Sequence, residues 1–576
     1  MINSSLSGSS EKPSGTRPRK RTKGLILVPL LVLIMVFTAA CGSAGSHEKD
    51  SSDSTDKSKN KEKATSSVTY NYVSPSELSD SSDSDSDAAS NDSVDSQEGP
   101  GEQGGPGSQG GGPGGPDTQN YDFSGSYSAT LTADGNGSGE KNVSKDGVKI
   151  SSKEKDKNAV LATNGGTLTL TGAQLTKSGS DNEGDGCNFY GINSSFLAVG
   201  EKTKAYISGS TISSTSDGSN GIFATDSAKV YAGDVKITTK DSDNARGLDA
   251  TYGGVIYGNK LDISTQGEHC AAIATDRGGG YISVTNSSLK TAGSGSPLIY
   301  STGDIEIDNT TGTAGGSQIA GMEGLNRIII NNSTLESTND ALTGSDPIKN
   351  GVIIYQSTSG DADTKTDEKA DFEAIDSTLK TNISDGAMFY VTNTDAKILL
   401  QNTKLDFDSA KVDLLNATGN SSNNWGSSGS NGGDVRLTCK DQTIKGDIKI
   451  DSISSVDMTL AQGSEYTGAF KGDVTDDNSC VSVSKDSTWV VTKNCTISSL
   501  AAEDGAKIVD KNGKTVTIKA NGKTVVEGES EITVTVKGDY GTKIDDDASE
   551  VTTVDVLDRS AFDKKYEGTT SFGKND

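Results

Sequence analysis

One stretch near the middle of the chain, residues 244–280, gathers side chains that are able to transfer protons or to hold ions. It reads NARGLDATYGGVIYGNKLDISTQGEHCAAIATDRGGG and contains Arg246, Asp249, Glu268, His269, Asp276 and Arg277. Carboxylates and imidazoles act as general acids and bases, and guanidinium groups pair with anions. The alternation of apolar and polar residues in this stretch also matches the segments on either side of it. What these side chains can do therefore depends on the elements that position them.

Composition excludes one large globular core. Only 31% of the 576 residues are hydrophobic and 5% are aromatic, whereas glycine alone accounts for 69. A chain this polar either stays disordered or forms a thin, repetitive β structure with Gly, Asn, Ser and Asp turns. The formal net charge of −27 repels nucleic acid and anionic lipid, so polyanion binding is excluded unless a cation bridges the two.

The N-terminus reads as an export and anchoring signal over residues 1–40. A basic segment (RPRKRTK, 17–23) precedes an apolar run (GLILVPLLVLIMVF, 24–37) that is short for a membrane span and contains Pro29. The following TAACGS resembles the lipobox of bacterial lipoproteins, in which a cysteine is lipidated and becomes the mature N-terminus. The resemblance implies a lipidated Cys41 on the extracellular face of the bacterial cytoplasmic membrane, at the cell surface. The alternative is an uncleaved signal anchor, which leaves the rest of the chain on the same side.

Residues 41–118 are predicted to form a disordered linker. They are rich first in Ser and Asp and then in Gly and Pro, and they hold little apolar surface to bury. Acidic runs repel themselves and extend the chain, so we expect a stalk between the membrane and a folded domain. The cysteines beyond Cys41 are too widely spaced for a disulfide framework, and only Cys480 and Cys495 are close enough in sequence to be considered as a pair.

From about residue 160 the chain repeats a pattern of short strands. The first inward residue of each unit is predicted to be Ile207, Val230, Ile256, Ile282, Ile305 and Ile328, at steps of 23 or 26 residues. A second strand has inward residues at Ile237, Ile263, Leu289, Gly312 and Leu335 and, two residues further on, at Thr239, Thr265, Thr291, Ala314 and Ser337. Alternation by two indicates strands, and Gly, Asn, Asp and Ser mark the turns between them. A third apolar piece, such as NGIFATD or CAAIATD, completes each unit.

Three short strands in 23 to 26 residues are typical of one turn of a parallel β-helix, in which inward Ile, Val and Leu side chains stack from turn to turn. We therefore predict that residues 119–540 form a β-helix domain with caps. The segment 121–135 is the candidate N-terminal cap, and residues 516–538 read as capping strands. Residues 541–576 are predicted to be a flexible C-terminal tail.

Over residues 160–515 the repeat length and strand pattern resemble the right-handed parallel β-helix, or pectin-lyase-like, superfamily. Residues 487–518 resemble the closing turns of autotransporter β-helices, with a Trp-x-Val strand, a Ser-Leu strand and a Gly turn. Together with the lipobox and the stalk, the chain resembles clostridial carbohydrate-binding and adhesin-like surface proteins. The implied fold is all-β: a right-handed parallel β-helix solenoid with capping strands. This fold hosts lyases, hydrolases, adhesins and binding proteins, so it leaves the function open.

A calcium-dependent polysaccharide lyase is one function that the resemblance implies. Lyases of this superfamily use a basic side chain to abstract a proton beside a uronate carboxylate, which Ca²⁺ held by carboxylates neutralises. The candidate catalytic residues are then Arg246, His269 and Arg277, with Asp249, Glu268 and Asp276 as calcium or charge partners. The Gly-His-Gly and Arg-x-Lys tripeptides of the hydrolases of this fold do not occur in the repeat region. The alternative is that all six are solvated turn residues.

Polysaccharide binding or adhesion is the function that we favour, because a long surface of Thr, Asn, Ser and Asp suits extended polymers. Aromatic rings supply platforms for sugars. The candidate ligand-binding residues are Tyr257, Tyr281, Asp249 and Asp276, with Tyr252 and Tyr300 on neighbouring turns. The tyrosines can equally be ordinary half-buried strand residues.

Two loops rich in oxygen ligands make Ca²⁺ the one cofactor considered. The candidate metal ligands are Asp181, Glu183 and Asp185 in the first loop and Asp361, Asp363 and Asp367 in the second. The expected partners are an extracellular polysaccharide or a host surface, and the membrane through the lipid anchor, without nucleic acid. A structural spacer that binds no ligand is the remaining alternative.

Overall fold

The computed structural model describes residues 68–78, 119–136, 139–181, 184–240, 242–362, 369–544 and 550–574. They belong to one unit, Thr65–Asp576. The predicted signal peptide, Cys41 and most of the predicted linker lie outside the described residues. In the described part of the chain, no helix has the length and apolar character that crossing a bilayer requires.

The structure consists almost entirely of short strands. In chain order they are β1 (Thr69–Val73), β2 (Ala129–Asp134), β3 (Asn142–Asp146), β4 (Lys149–Ser152), β5 (Asn158–Thr163), β6 (Thr167–Thr171), β7 (Gln174–Lys177), β8 (Phe196–Val199), β9 (Lys204–Ser214), β10 (Ile222–Thr225), β11 (Lys229–Thr239), β12 (Leu248–Ala250), β13 (Gly254–Thr265), β14 (Ile273–Thr275), β15 (Gly280–Thr285), β16 (Ser288–Thr291), β17 (Ile299–Ser301), β18 (Asp304–Asp308), β19 (Thr311–Ala314), β20 (Ala320–Glu323), β21 (Arg327–Asn331), β22 (Thr334–Ser337) and β23 (Asn350–Tyr355). They continue as β24 (Ala370–Ile375), β25 (Thr378–Thr381), β26 (Ala387–Thr392), β27 (Thr394–Gln401), β28 (Lys404–Asp406), β29 (Asp413–Ala417), β30 (Gly433–Lys440), β31 (Thr443–Lys445), β32 (Ile448–Ile450), β33 (Ser455–Ala461), β34 (Glu465–Gly468), β35 (Phe470–Gly472), β36 (Ser479–Val483), β37 (Thr488–Val491), β38 (Cys495–Ile497), β39 (Ser499–Ala502), β40 (Lys507–Val509), β41 (Thr517–Ala520), β42 (Lys523–Val526), β43 (Thr533–Val536), β44 (Tyr540–Gly541) and β45 (Thr553–Leu557). The helices are α1 (Pro75–Leu78), α2 (Asp185–Tyr190) and α3 (Ser560–Tyr566).

The strands stack as the rungs of a parallel β-helix, which confirms the predicted all-β solenoid. One strand of each rung enters a thirteen-stranded parallel sheet, in the order β2-β5-β8-β10-β12-β14-β17-β20-β23-β26-β29-β32-β35. Across this sheet Ile222, Leu248, Ile273 and Ile299 stand in register and are fully buried. Most of the other strands form a second parallel array, in which β11 pairs with β9 and β13. The remaining strands form three small sheets, β1-β45, β31-β34-β37-β40 and β38-β43-β41-β42. The backbone N–H and C=O groups along the edge of each strand bond to the strand of the next rung. Stacking therefore satisfies the hydrogen-bonding groups of the backbone.

The predicted strand register is correct along the second strand of each rung. It is wrong at the first inward residue of one unit, Ile207. Ile237 pairs with Ile263, and the same row continues through Leu289, Gly312 and Leu335 as predicted. Val230, however, pairs with Ala205, and Ile207 lies opposite Ala232. A shift of two residues keeps Ile207 on the inner face, because strand side chains alternate with a period of two. The hydrophobic pattern therefore could not detect it.

A polar corner separates the first two strands of each rung. Asn286, Asn309 and Asn332 occupy successive corners in the left-handed conformation, with φ of 53°, 49° and 44°. Asparagine tolerates this conformation better than most residues. The following Ser or Thr turns inward and caps the adjacent rung: Ser287 Oγ accepts the N–H of Leu261 at 2.9 Å. The recurring Asn/Asp-Ser/Thr pairs of the sequence are thus the corners of the solenoid.

The two ends of the solenoid close differently. The antiparallel hairpin of β41 and β42, with β43 beside it, adds the buried Ile518 and Val534 to the end of the core. At the other end only β2 of the predicted cap joins the first rung, where it pairs with β5. Tyr121 and Tyr127, from the same predicted cap, lie instead on the outer face against Leu161 and Leu197.

The chain segments expected to be linker and tail also contribute ordered structure. Strand β1, in the predicted linker, pairs in parallel with β45, in the predicted C-terminal tail, over five residue pairs. The pair packs on the solenoid because alternate residues are apolar: Val554 and Val556 are buried with Ile329 and Ile375. We call residues 550–574, which contain β45 and α3, the strap.

The described cysteines are free thiols, and the candidate pair is not bridged. Cys187, Cys270, Cys439 and Cys495 are buried, and Cys480 is half-buried. Cys439 and Cys495 belong to the apolar core, where thiols behave as small hydrophobic groups.

Candidate functional site

Side chains from the stretch 244–280 meet on the outer face of the thirteen-stranded sheet. On β10, β12, β14 and β17, the residues that follow the inward Ile and Leu point outward, and they are Phe223, Asp249, Ala274 and Tyr300. Other parts of the chain cover this face. The hydroxyl of Thr251 donates to the carbonyl of Phe189 in α2 at 2.7 Å, and residues 356–362 are fastened through Glu323.

Arg246 is the centre of the first part of the site. Its Nη2 donates to Oδ2 of Asp276 at 2.8 Å, and its Nη1 donates to Oδ1 of Asn188 in α2 at 3.1 Å. Nη1 also lies 3.3 Å from Oδ2 of Asp249. Because the residue is only 9% exposed, its guanidinium is committed to protein partners.

The two carboxyl groups beside Arg246 are held in unusual electrostatic environments. Asp249 is fully buried, and neither of its oxygens accepts a hydrogen bond. Burial raises the pKa of Asp249 well above its ordinary value, although Arg246 opposes the rise. Burial also raises the pKa of Asp276 to about 7, again against the effect of Arg246. Because the two carboxyl groups share one arginine, their titrations are coupled, and burial favours the protonated form of each.

Arg277 extends the site towards solvent. Its guanidinium carbon lies 3.8 Å from the ring centroid of Phe189, a favourable cation–π arrangement. Its Nε and Nη2 donate to Oδ1 of Asp361 at 3.0 and 2.7 Å. The side chains of Arg277 and Asp361 are 22% and 19% exposed. Unlike Arg246, this pair is available to a ligand.

Glu323 organises the far side of the site. Its carboxylate is 2% exposed and accepts hydrogen bonds from four hydroxyl groups, those of Tyr300 at 2.7 Å, Tyr355 at 3.1 Å, Ser359 at 3.0 Å and Ser357. Burial raises the pKa of both tyrosines well above the ordinary value, so they remain donors. The Tyr355 ring stacks on Trp425 with a centroid distance of 4.4 Å. This network fixes residues 356–362 over the sheet.

Rings that are partly open to solvent lie next to the Arg277–Asp361 pair. Tyr190 and Tyr252 stack with centroids 5.4 Å apart and planes 9° apart. Tyr121 meets both edge-on, at 5.7 and 5.6 Å, and Phe123 lies 5.0 Å from Tyr190. Tyr252 is buried and the other three rings are half-buried. We call Tyr121, Phe123, Tyr127, Tyr190 and Tyr252 the aromatic cluster.

The backbone that presents Tyr252 is strained. Its φ is 47°, a left-handed conformation that bulky residues rarely adopt and that is common at functional sites. Gly278 on the next rung has a φ of 75°, and a Cβ atom at that position would overlap the Tyr252 ring. A side chain at position 278 would thus displace the ring.

The structure does not assemble the predicted catalytic trio. Arg246 and Arg277 are joined through Asp276, whose Oδ1 accepts the backbone N–H of Arg277 at 2.9 Å. His269 and the adjacent Glu268 lie in the exposed turn between β13 and β14. Within the described residues, no hydrogen bond or ion pair links the His269 side chain to either arginine.

The predicted ligand-binding residues fall into two groups. Asp249 and Asp276 belong to the site just described. Tyr257 lies on the second array of strands, where it is 4% exposed because α3 packs over it, and Tyr281 is half-buried in the same cluster. As the structure stands, neither tyrosine is an open platform.

The predicted calcium ligands are only partly described. Glu183, Asp363 and Asp367 lie outside the described residues, and Asp361 is paired with Arg277. Among the residues that the structure describes, no group of three or more His, Cys, Asp or Glu side chains is arranged to hold a metal ion. Calcium binding by these loops stays a prediction.

Sequence reasoning missed several contributors to the site. Tyr190 lies in a short helix without repeat character, and Trp425 and Glu323 lie on rungs far along the chain. One signal was present: from β8 to β20 the outward row reads Leu197, Phe223, Asp249, Ala274, Tyr300 and Gly321, and Asp249 is its one charged residue. A charged residue in the middle of a three-residue strand has to be covered or paired.

Comparison with protein-family models, with curated proteins and with solved structures finds no match to this chain. The fold and the site are therefore interpreted from their own geometry. That geometry combines a buried network of charged side chains around Arg246 with aromatic rings that are half-buried, except for the buried Tyr252. Half-buried rings beside an exposed ion pair are suited to binding a ligand that has both apolar faces and hydroxyl groups.

Proposed function

We propose that the protein is an extracellular β-helix protein that binds polysaccharide through the aromatic cluster and the Arg277–Asp361 pair. Sugar rings present apolar C–H faces, which pack on aromatic rings, and hydroxyl groups, which bond to charged side chains. The stack of the half-buried Tyr190 on the buried Tyr252, beside the partly exposed Arg277–Asp361 pair, is the observation that carries the proposal. It replaces Tyr257 and Tyr281, which were the tyrosines expected from the sequence.

A lyase of the pectin-lyase-like kind has less support. Its base would have to reach the substrate, but Arg246 is 9% exposed and bound to Asn188 and Asp276. His269, the second candidate base, lies in a separate exposed turn. Arg277, the third, is partly exposed but is ion-paired with Asp361. A passive spacer would not need the strained Tyr252 or the buried charges around Arg246.

Surface anchoring through a lipidated Cys41 is part of the same proposal and rests on the lipobox-like sequence. The position of β1 limits the distance from the anchor to the body. Only residues 42–68 separate Cys41 from the first docked strand, and a fully extended chain spans about 3.3–3.6 Å per residue, or roughly 90–100 Å. Of the stalk proposed from residues 41–118, only about the first third, residues 42–68, separates the anchor from the folded body.

The test uses the secreted mature chain with Cys41→Ser, mixed with a panel of plant and host polysaccharides that includes polygalacturonate, with and without Ca²⁺. We expect retention of at least one polysaccharide and at least tenfold weaker retention by Tyr190→Ala and Arg277→Gln. Tyr540→Ala, which removes a half-buried ring at the far end, is the matched control. Equal binding by all variants would refute the site, and ultraviolet absorbance from unsaturated uronate products would favour the lyase.

A further inference from the structure

The strap covers a long strip of the second array of strands. At one end the carbonyl of Glu550 accepts from Lys440 and Gln462, on or directly after β30 and β33. At the other end Lys565 lies 4.5 Å from the ring centroid of Tyr206, on β9. The strap therefore crosses successive rungs as a separate layer over the solenoid.

Beneath α3 lies a regular row of tyrosines. Tyr206, Tyr231 and Tyr257 occupy the same register on three successive rungs. Their rings stack with centroids 5.0 and 5.3 Å apart and planes 16° and 15° apart. Lys204 and Lys229 stand in register two positions before the first two tyrosines and are exposed or half-exposed. Three parallel rings edged by two cations form a platform for a carbohydrate chain that carries carboxylates. Lys204 and Lys229 supply the bridging positive charge without which the net charge of −27 would repel such a chain.

Side chains of α3 cover this row. Phe562 packs against the tyrosines, and Lys565 lies over the Tyr206 ring. The hydroxyl of Tyr566 donates to the carbonyl of Tyr231 at 2.8 Å. An aromatic ring, a hydroxyl group and a cation thus occupy the tyrosine row, which would otherwise face solvent.

One buried arginine fastens the strap beside the row. Arg559 is fully buried and donates five hydrogen bonds: to the carbonyl and Oγ of Ser283 at 2.7 and 2.8 Å, to the carbonyl of Gly258 at 2.8 Å, to Oγ1 of Thr285 at 3.3 Å and to Oγ1 of Thr570 at 2.9 Å. Burial lowers the pKa of Arg559 to about 10, which means that the buried site disfavours the charged form of the guanidinium group. Removing this single side chain should free α3.

Closure of the strap also leaves polar atoms without partners. Oδ1 of Asp304 and Oε2 of Glu373 are buried near the strap and accept no hydrogen bond. Water would satisfy both oxygens in an open state. A buried oxygen without a hydrogen-bond partner is unfavourable, so the two atoms reduce the net stability of the closed strap.

We propose that the strap is a lid over a second binding surface, the row Tyr206–Tyr231–Tyr257, and that this row binds the acidic segments of a polysaccharide when the strap opens. This inference deepens the proposed function and rests on it for the class of ligand. The strap and the polysaccharide then compete for one face. Strand β1 would stabilise the lid, because it pairs in parallel with β45 and so bonds to the backbone groups along one edge of that strand.

The test uses the full mature chain, in which Arg559→Ala opens the strap. Trypsin cleavage after Lys564 or Lys565, which the native protein and the variant both contain, reports opening. The buried Trp489 and Trp425, which lie outside the strap, report by their emission that the solenoid stays folded. We expect at least tenfold faster cleavage with unchanged emission. We also expect at least fivefold stronger retention on polygalacturonate and no gain on a neutral polysaccharide.

A second pair of variants separates this proposal from the first. Combined with Arg559→Ala, Tyr231→Ala should abolish the gain, whereas Tyr190→Ala should lower basal binding and leave the gain intact. If Arg559→Ala speeds cleavage without strengthening retention on polygalacturonate, the strap only stabilises the fold and the lid proposal is wrong. If Tyr190→Ala has no effect but the gain appears, the first site fails and the second survives.

Discussion

Gly278 offers a sharp test of the aromatic cluster, because its neighbour is a matched control. Gly278 and Gly279 both have left-handed backbones, with φ of 75° and 62°. Alanine at either position meets the same left-handed penalty, about 1–2 kcal/mol. At position 278 the new Cβ would overlap the Tyr252 ring, whereas at position 279 its nearest neighbour is the carbonyl oxygen of Thr302, 3.6 Å away.

The difference between the two variants isolates the displacement of Tyr252. Forcing an extra carbon into a packed site costs typically 1–3 kcal/mol, so Gly278→Ala should be less stable than Gly279→Ala by about that amount. Its binding should suffer more: the stack of Tyr252 on Tyr190 is lost, and we expect at least tenfold weaker retention on the polysaccharide that the native protein binds. Gly279→Ala should bind within about twofold of the native protein.

The assay combines affinity electrophoresis with hydrogen exchange of the rungs that contain β12 and β14. Exchange gives a local stability, which is preferable to a global midpoint because long repeat arrays do not unfold in one step. Equal affinities for the two alanine variants would refute the reasoning, since they would show that the position of Tyr252 is irrelevant to binding.

Three further predictions concern the buried charges. Asp249→Asn should raise the midpoint of thermal unfolding at pH 7 but not at pH 3.5. The reason is that a carboxyl group with a raised pKa lowers folding stability only above its ordinary pKa of 3.8. Asp276→Asn, which weakens an acceptor of Arg246, is the control, and its midpoint should rise less. The strap should open as pH rises from about 4.5 to 8, because burial under it raises the pKa of Glu306 and Glu373 to about 8; the charges around them are Asp304, Asp371, Asp555, Arg327 and Arg559. The measurement is the rate of trypsin cleavage divided by the rate for an unstructured peptide at the same pH, and a ratio that is constant over this window would contradict the prediction. Glu323→Gln should speed hydrogen exchange in residues 356–362 at least tenfold, because an amide cannot accept all four hydroxyl donors; unchanged exchange would mean that other contacts hold the segment.

The solenoid could be predicted from the sequence because every rung repeats one local rule. Inward Ile, Val and Leu at a period of two, followed by an Asn or Asp corner and a capping Ser or Thr, identify the strands before any partner is known. The register error at Ile207 arose because Ala205 and Ile207 both point inward. The same rule carries no information about what covers the outer face.

The strap and the site could not be predicted for a related physical reason. Arg559 bonds to Ser283 across 276 positions, and the N–H of Leu557 donates to Glu306 across 251. Contacts at such separations depend on shape and charge complementarity between two surfaces, which a local pattern does not contain. The strap looked like a tail because its apolar residues form only one strand and one short helix.

Departures from the repeat nevertheless mark where function should be sought. Along the thirteen-stranded sheet the inner row reads Ile222, Leu248, Ile273, Ile299 and Ala320, while the adjacent outer row reads Phe223, Asp249, Ala274, Tyr300 and Gly321. The inner row must stay apolar because it forms the core. The outer row is free of that constraint, and Asp249 in this row is linked through Arg246 to Asn188 of α2, which covers the sheet. Asp249 is kept against a desolvation cost, and a binding site around it is the simplest physical reason for keeping it.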